Sequence, residues 1–125
     1  MKADMKLLVK EWIDKWESGD YLNIPISDNF RHKSPYGTIE GKQPYLELVE
    51  ANKEQFLGYS FEVHDEIYEE GRACIRYTGL HNDFVLEVSE WFFASGNEIE
   101  EVVAYFNVGE LSEERRLSEP ESRRA

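Results

Sequence analysis

The sequence predicts an α+β domain, because its helical and strand periodicities occupy separate stretches of the chain. Two segments before residue 57 carry apolar residues at the 3.6-residue spacing of an amphipathic helix, with one strand between them. From Tyr59 to Val108 the chain reads as strand throughout, interrupted only by clusters of turn-forming residues. At 125 residues it has the length of one domain and needs no disulfide or metal staple.

The first helix covers 4–18. Met5, Leu8, Val9, Trp12, Ile13 and Trp16 fall on one face, and Gly19 can take the left-handed conformation that ends it. Pro25 biases Ile24 out of the helical region, so Asp20 to Pro25 is a turn. Phe30 to Tyr36 is a strand, and Pro35, Gly37 and Gly41 punctuate a turn or small hairpin after it. A second helix covers 42–56. Pro44 suits its first turn, Tyr45, Leu48, Val49, Asn52 and Phe56 form its inner face, and Gly58 stops it. Strands follow over 59–69, 72–81, 84–94 and 98–107, separated by Glu70-Gly71, His81-Asn82-Asp83 and Ser95-Gly96-Asn97. The domain is expected to span 1–110. Residues 111–125, LSEERRLSEPESRRA, are charged and read as a mobile tail.

The chain carries 26 acidic against 14 basic residues, a net charge of −12. Such a surface repels phosphates and anionic lipid, so nucleic acid and membrane are not expected partners. No stretch is apolar enough to span a bilayer. The N-terminus has no signal-peptide pattern, and Cys74 is the only cysteine. A cytoplasmic protein is expected.

Both faces of the late sheet look buried, since Trp91 and Phe93 alternate with Glu90 and Phe92. Trp91 and Phe93 on a wet face would form a costly exposed patch. One alternation set holds Cys74, Arg76, Thr78, Val88, Glu90, Phe92, Ala104 and Phe106. The other holds Ala73, Ile75, Tyr77, Trp91, Phe93, Val103 and Tyr105. This assignment depends on the His81-Asn82-Asp83 loop, because a two-residue loop would swap the sets of strand 72–81. Helices cover one face. The other is expected to meet a second copy in a two-fold dimer, unless the sheet curls and hides both faces within one chain.

Glu90 is the most informative residue. A carboxyl among large apolar neighbours is costly unless paired or protonated. It reads either as a pocket acid or base with a raised pKa, or as the partner of Arg76 in a structural ion pair. Arg76 facing inward can instead hold an anionic or carbonyl group, with Thr78 beside it offering a hydroxyl. His32 and Ser34 share a strand face, and His32 is a candidate base near neutral pH. Trp12 and Trp16 lie one turn apart and serve as core or as a stacking wall. With Phe92 they complete the candidate lining. No metal-ligand spacing, GxGxxG, P-loop or GxSxG occurs, so no metal or cofactor is expected.

Four stretches carry a resemblance: the helix end WESGDY, the segment NFRHKSPYGTIEGKQPYL, the strand SEWFFASGNEI and the closing EIEEVVAYFN. Together they resemble the nuclear transport factor 2-like superfamily, in its SnoaL-like and ketosteroid-isomerase-like branch, over roughly residues 5–108. The resemblance implies a cone-shaped, strongly curved, antiparallel-rich sheet wrapped around the helices. It also implies a deep apolar pocket and dimers through the outer sheet face. By the resemblance Glu90 matches the protonated pocket acid of ketosteroid isomerases. Trp12 stands where they have a tyrosine, and Ser34 precedes Pro35 where they have the basic aspartate. Arg76-x-Thr78 keeps the arginine of the epoxide-hydrolase-like Arg-x-Asp pair and loses its acid, and Ala104 replaces their closing-strand acid. Neither machinery is complete. The expectation is a protein that binds a small apolar or carbonyl-bearing ligand, with Glu90 or His32 moving a proton in an isomerisation or dehydration. The alternative is a non-catalytic dimeric module that binds a ligand or a protein.

Overall fold

A computed structural model describes residues 4–107. The expected tail over 111–125 lies outside the described residues. Helix α1 spans Met5–Ser18 and begins at Asp4, whose side chain accepts a hydrogen bond from the Leu7 amide at 3.2 Å. It ends at Gly19, at φ 84°, a conformation that favours glycine. A short 3₁₀ turn, Tyr21–Asn23, leads into strands β1 (Ile26–Ser34) and β2 (Gly37–Glu40). Helices α2 (Lys42–Ala51) and α3 (Lys53–Phe56) follow, then β3 (Ser60–Glu69), β4 (Arg72–His81), β5 (Phe84–Ser95) and β6 (Glu98–Tyr105). The α+β prediction holds.

Several boundaries differ from expectation. The first strand starts at Ile26 rather than Phe30, because Pro25 ends the 3₁₀ turn and its carbonyl accepts from the Ile99 amide at 2.7 Å. The expected helix over 42–56 is broken at Asn52, whose side chain donates to the Leu48 carbonyl at 2.9 Å. Such a side-chain bond to the preceding turn competes with helical continuation. The last strand ends at Tyr105.

The six strands form one sheet in the order β2-β1-β6-β5-β4-β3. All neighbours are antiparallel except β1 and β6, which run parallel. Register shifts interrupt β3 between Val63 and Asp65 and β5 between Phe93 and Ala94. Bulges of this kind bend and twist a sheet. Here the sheet packs against α1 at its β3-β4 end and against α2 at its β1-β2 end. Between them lies a core of Val9, Phe30, Val49, Ile75, Phe92, Ile99 and Val102, each almost wholly buried. Trp12 closes it, with ring centroids 5.6 Å from Phe92 and 6.1 Å from Phe30.

The register of β4 against β5 corrects the face assignment. His81 pairs with Phe84, so the loop is the two residues Asn82 and Asp83, with Asn82 at φ 54°. A two-residue hairpin exchanges the faces expected for β4. Ile75 therefore lies opposite Glu90, and Tyr77 opposite Val88, on the inner face. Cys74, Arg76 and Thr78 lie opposite Trp91, Ser89 and Glu87 on the outer face.

Candidate functional site

The space between helices and sheet is not filled. A cavity of about 890 Å³ opens there, lined by residues of α1, α2, α3 and every strand. The spacing of Trp12 and Trp16 along α1 turns both indoles toward it, and β1 contributes His32 and Ser34. Glu90 reaches it from the middle of β5, between Val88 and Phe92 on the same strand face.

Glu90 is 5% exposed. Its cross-strand neighbours are Ile75 and Ala104, so no cation meets it from the flanking strands. The Tyr77 hydroxyl donates to its Oε1 at 3.1 Å. Burial pushes the carboxyl up to about 7, and the Tyr77 bond, which favours the ionised form, only partly opposes this. Burial also raises Tyr77 and Tyr45 well above the ordinary tyrosine range, with the Glu90 charge adding to both. Near neutral pH this corner of the cavity therefore holds two neutral phenols and a carboxyl that gains or loses its proton readily.

His32 stacks on Tyr45, with centroids 5.1 Å apart and planes at 26°. Desolvation lowers it to about 4, so it is a neutral imidazole at pH 7. That suits a hydrogen-bonding wall better than the proton carrier expected of it. Ser34 also lines the cavity, and its hydroxyl accepts from the Tyr36 amide at 3.1 Å in the β1-β2 turn.

Other expected residues lie elsewhere. Arg76 is on the outer face and pairs with Asp65 at 2.7 Å, not with Glu90. Both partners are more than half exposed, so the pair contributes little stability. Thr78 is buried on the outer face, donating to Glu87 at 2.8 Å and lying 2.7 Å from His64 Nε2. Phe92 faces inward but is wholly buried beneath Trp12 and does not line the cavity. Sequence reasoning missed Tyr77 as a site residue, because the swapped faces had placed it outside. Tyr45 was read only as core. Among the described residues no group of three His, Cys, Asp or Glu side chains could hold a metal ion. No helix there is long and apolar enough to cross a membrane.

Comparison with solved structures assigns the architecture. An NTF2-like protein of unknown function from Cytophaga hutchinsonii superposes with a TM-score of 0.72 at 22% identity, over 86% of this chain and 93% of that one. The chain has the nuclear transport factor 2-like fold. A SnoaL-like protein of unknown function from Burkholderia thailandensis gives 0.69 at 19% identity, over 82% and 93% of the two chains. A Kribbella flavida protein provisionally named a ketosteroid isomerase gives 0.70 at 13% identity, over 91% and 88%. No protein-family model matches the chain, and neither does any curated protein sequence. At these identities the nuclear transport factor 2-like likeness speaks for the fold. What the cavity does rests on the side chains of this chain.

Proposed function

We propose that this protein binds a small, largely apolar molecule in the cavity and exchanges a proton with it through Glu90, as in an isomerisation or dehydration. The observation that carries this reading is a buried carboxyl poised near neutrality that lines a large cavity and has no cationic partner among the described residues. A group with its pKa near the working pH is the most effective general acid or base, and such a group in a cleft is a functional candidate. Tyr77 positions the carboxyl by its hydrogen bond. The ketosteroid isomerase name given to the similar Kribbella flavida protein agrees with a reading of this kind.

Native mass spectrometry on gently purified protein tests the binding part. Retained mass beyond the polypeptide supports it and narrows the ligand class. With a ligand in hand, Glu90→Gln keeps the shape and removes the proton. Turnover is expected to fall by about a hundredfold or more while binding persists. Unchanged turnover contradicts proton transfer, and binding without turnover in the wild type leaves a non-catalytic binding module.

The reading includes a two-fold homodimer in the cytoplasm, paired through the outer sheet face. Trp91 and Phe93 stack there with planes at 13°, and Ile67 and Tyr105 on the same face are 65% and 60% exposed. A patch of that kind is more often covered than left in water.

A further inference from the structure

Among the described residues no Lys or Arg lines the cavity, whereas Glu90 of β5 and Glu54 of α3 do. Its other polar lining is the imidazoles of His32 and His81 with amides and hydroxyls. Its walls are aromatic, among them Trp12, Trp16, Tyr45, Phe56, Phe61 and Tyr77. Several meet edge to face, as Trp16 does Tyr45 at 86° and Phe61 does Tyr77 at 87°. Aromatic faces carry negative quadrupolar potential and attract cations, most strongly where water is excluded. The net charge of −12 adds a field of the same sign. An anionic ligand would meet two carboxyls and, among the described residues, no Lys or Arg to offset them, at a heavy desolvation cost.

Resting on the reading that the cavity is a ligand site, we infer that its ligand is an organic amine: an apolar frame bearing one basic nitrogen, taken up in preference to the matching alcohol and against the matching carboxylate. The nitrogen has two sources of stabilisation, the aromatic walls and an ionised Glu90. If the amine enters neutral, the Glu90 carboxylic acid gives its proton to the nitrogen, leaving a carboxylate and an ammonium. If it enters protonated, Glu90 loses its own proton to solvent. Tyr77 from β4 and Tyr45 from α2 stay neutral and do not compete for that proton, and neither does His32 from β1. From β6 the residue opposite Glu90 is Ala104.

Isothermal calorimetry with three probes of like shape, naphthylethylamine, naphthylethanol and naphthylacetate, tests this in wild type and Glu90→Gln. In the wild type the amine should bind about tenfold tighter than the alcohol, and the carboxylate weakest. Runs in buffers of different ionisation heat should show release of about half a proton per amine bound at pH 7, and none for the alcohol. In Glu90→Gln the amine should lose most of its advantage over the alcohol and all of its proton release. Alcohol binding as tight as amine, or carboxylate binding tightest, overturns the amine inference and leaves the cavity reading standing. Binding of none of the three overturns both. An amine preference and proton release that survive in Glu90→Gln overturn the role of Glu90.

Discussion

Glu90 and His32 sit in one cavity with oppositely perturbed protons, and this has a measurable effect on stability. The folded-state value of Glu90, about 7, lies above its unfolded value of 4.5, so the folded state binds the extra proton. Its burial costs nothing below about pH 4.5 and destabilises increasingly as pH rises through 7. His32 runs the other way, at about 4 against 6.5, so its burial destabilises progressively as pH falls from 6.5 to 4. Between those limits the two slopes offset. Urea denaturation of Glu90→Gln should show a gain of roughly 3 kcal/mol at pH 8 and almost none at pH 4. It should also expose the uncompensated rise with pH from His32. A variant destabilised equally at both pH values would mean that the carboxyl is held by a partner as an anion. Tyr77→Phe removes the one hydrogen bond to the Glu90 carboxyl among the described residues, and that bond favours the ionised form. Its loss should raise the Glu90 midpoint further, by about one unit or less, read from the carboxyl carbon shift in NMR.

At the scale of elements, the hairpin between β4 and β5 decides what the site contains. Its two loop residues, with Asn82 at φ 54°, put Tyr77 beside Glu90 and send Arg76 and Thr78 outward. Asn tolerates the left-handed region by local hydrogen bonding, and a β-branched residue does not. Asn82→Val should therefore cost about 1–3 kcal/mol in thermal or urea unfolding, whereas Asn82→Gly should be close to neutral. Helix α1 and the strand runs could be read from periodicity, because each presents one apolar stripe and ends at a glycine or a turn cluster. The inward set of β5 was equally readable, since Glu90 stands alone among apolar neighbours. The faces of β4 were not readable, because both of its alternation sets are mixed and His81-Asn82-Asp83 fits a two- or a three-residue loop. The break at Asn52 was hidden for a related reason: Asn52 and Phe56 keep the helical spacing across it, while Asn52 bonds back to Leu48. Four cavity residues expected from sequence, Trp12, Trp16, His32 and Ser34, were found there with Glu90, while Arg76, Thr78 and Phe92 were not.

For the molecule as a whole, two surfaces of one curved sheet carry two separate claims. The inner surface encloses the cavity, and the outer surface carries Trp91, Phe93, Val103 and Tyr105 with Ile67 and Cys74 across the neighbouring strands. If a second copy covers the outer surface, sedimentation equilibrium should return twice the chain mass. Trp91→Lys should then shift the protein to a monomer without changing ligand binding inside the cone. A wild-type monomer would mean that the stacked Trp91 and Phe93 face solvent. The account turns on the inner surface and on the state of one carboxyl. The most direct measurement is an NMR titration of glutamate carboxyl carbons in wild type, with Glu90→Gln identifying the resonance. A midpoint near 7 is predicted, moving down when a cationic ligand enters. A midpoint in the ordinary glutamate range near 4.5 would contradict the account, because Glu90 would then be a solvated or paired anion with no proton to exchange at neutral pH.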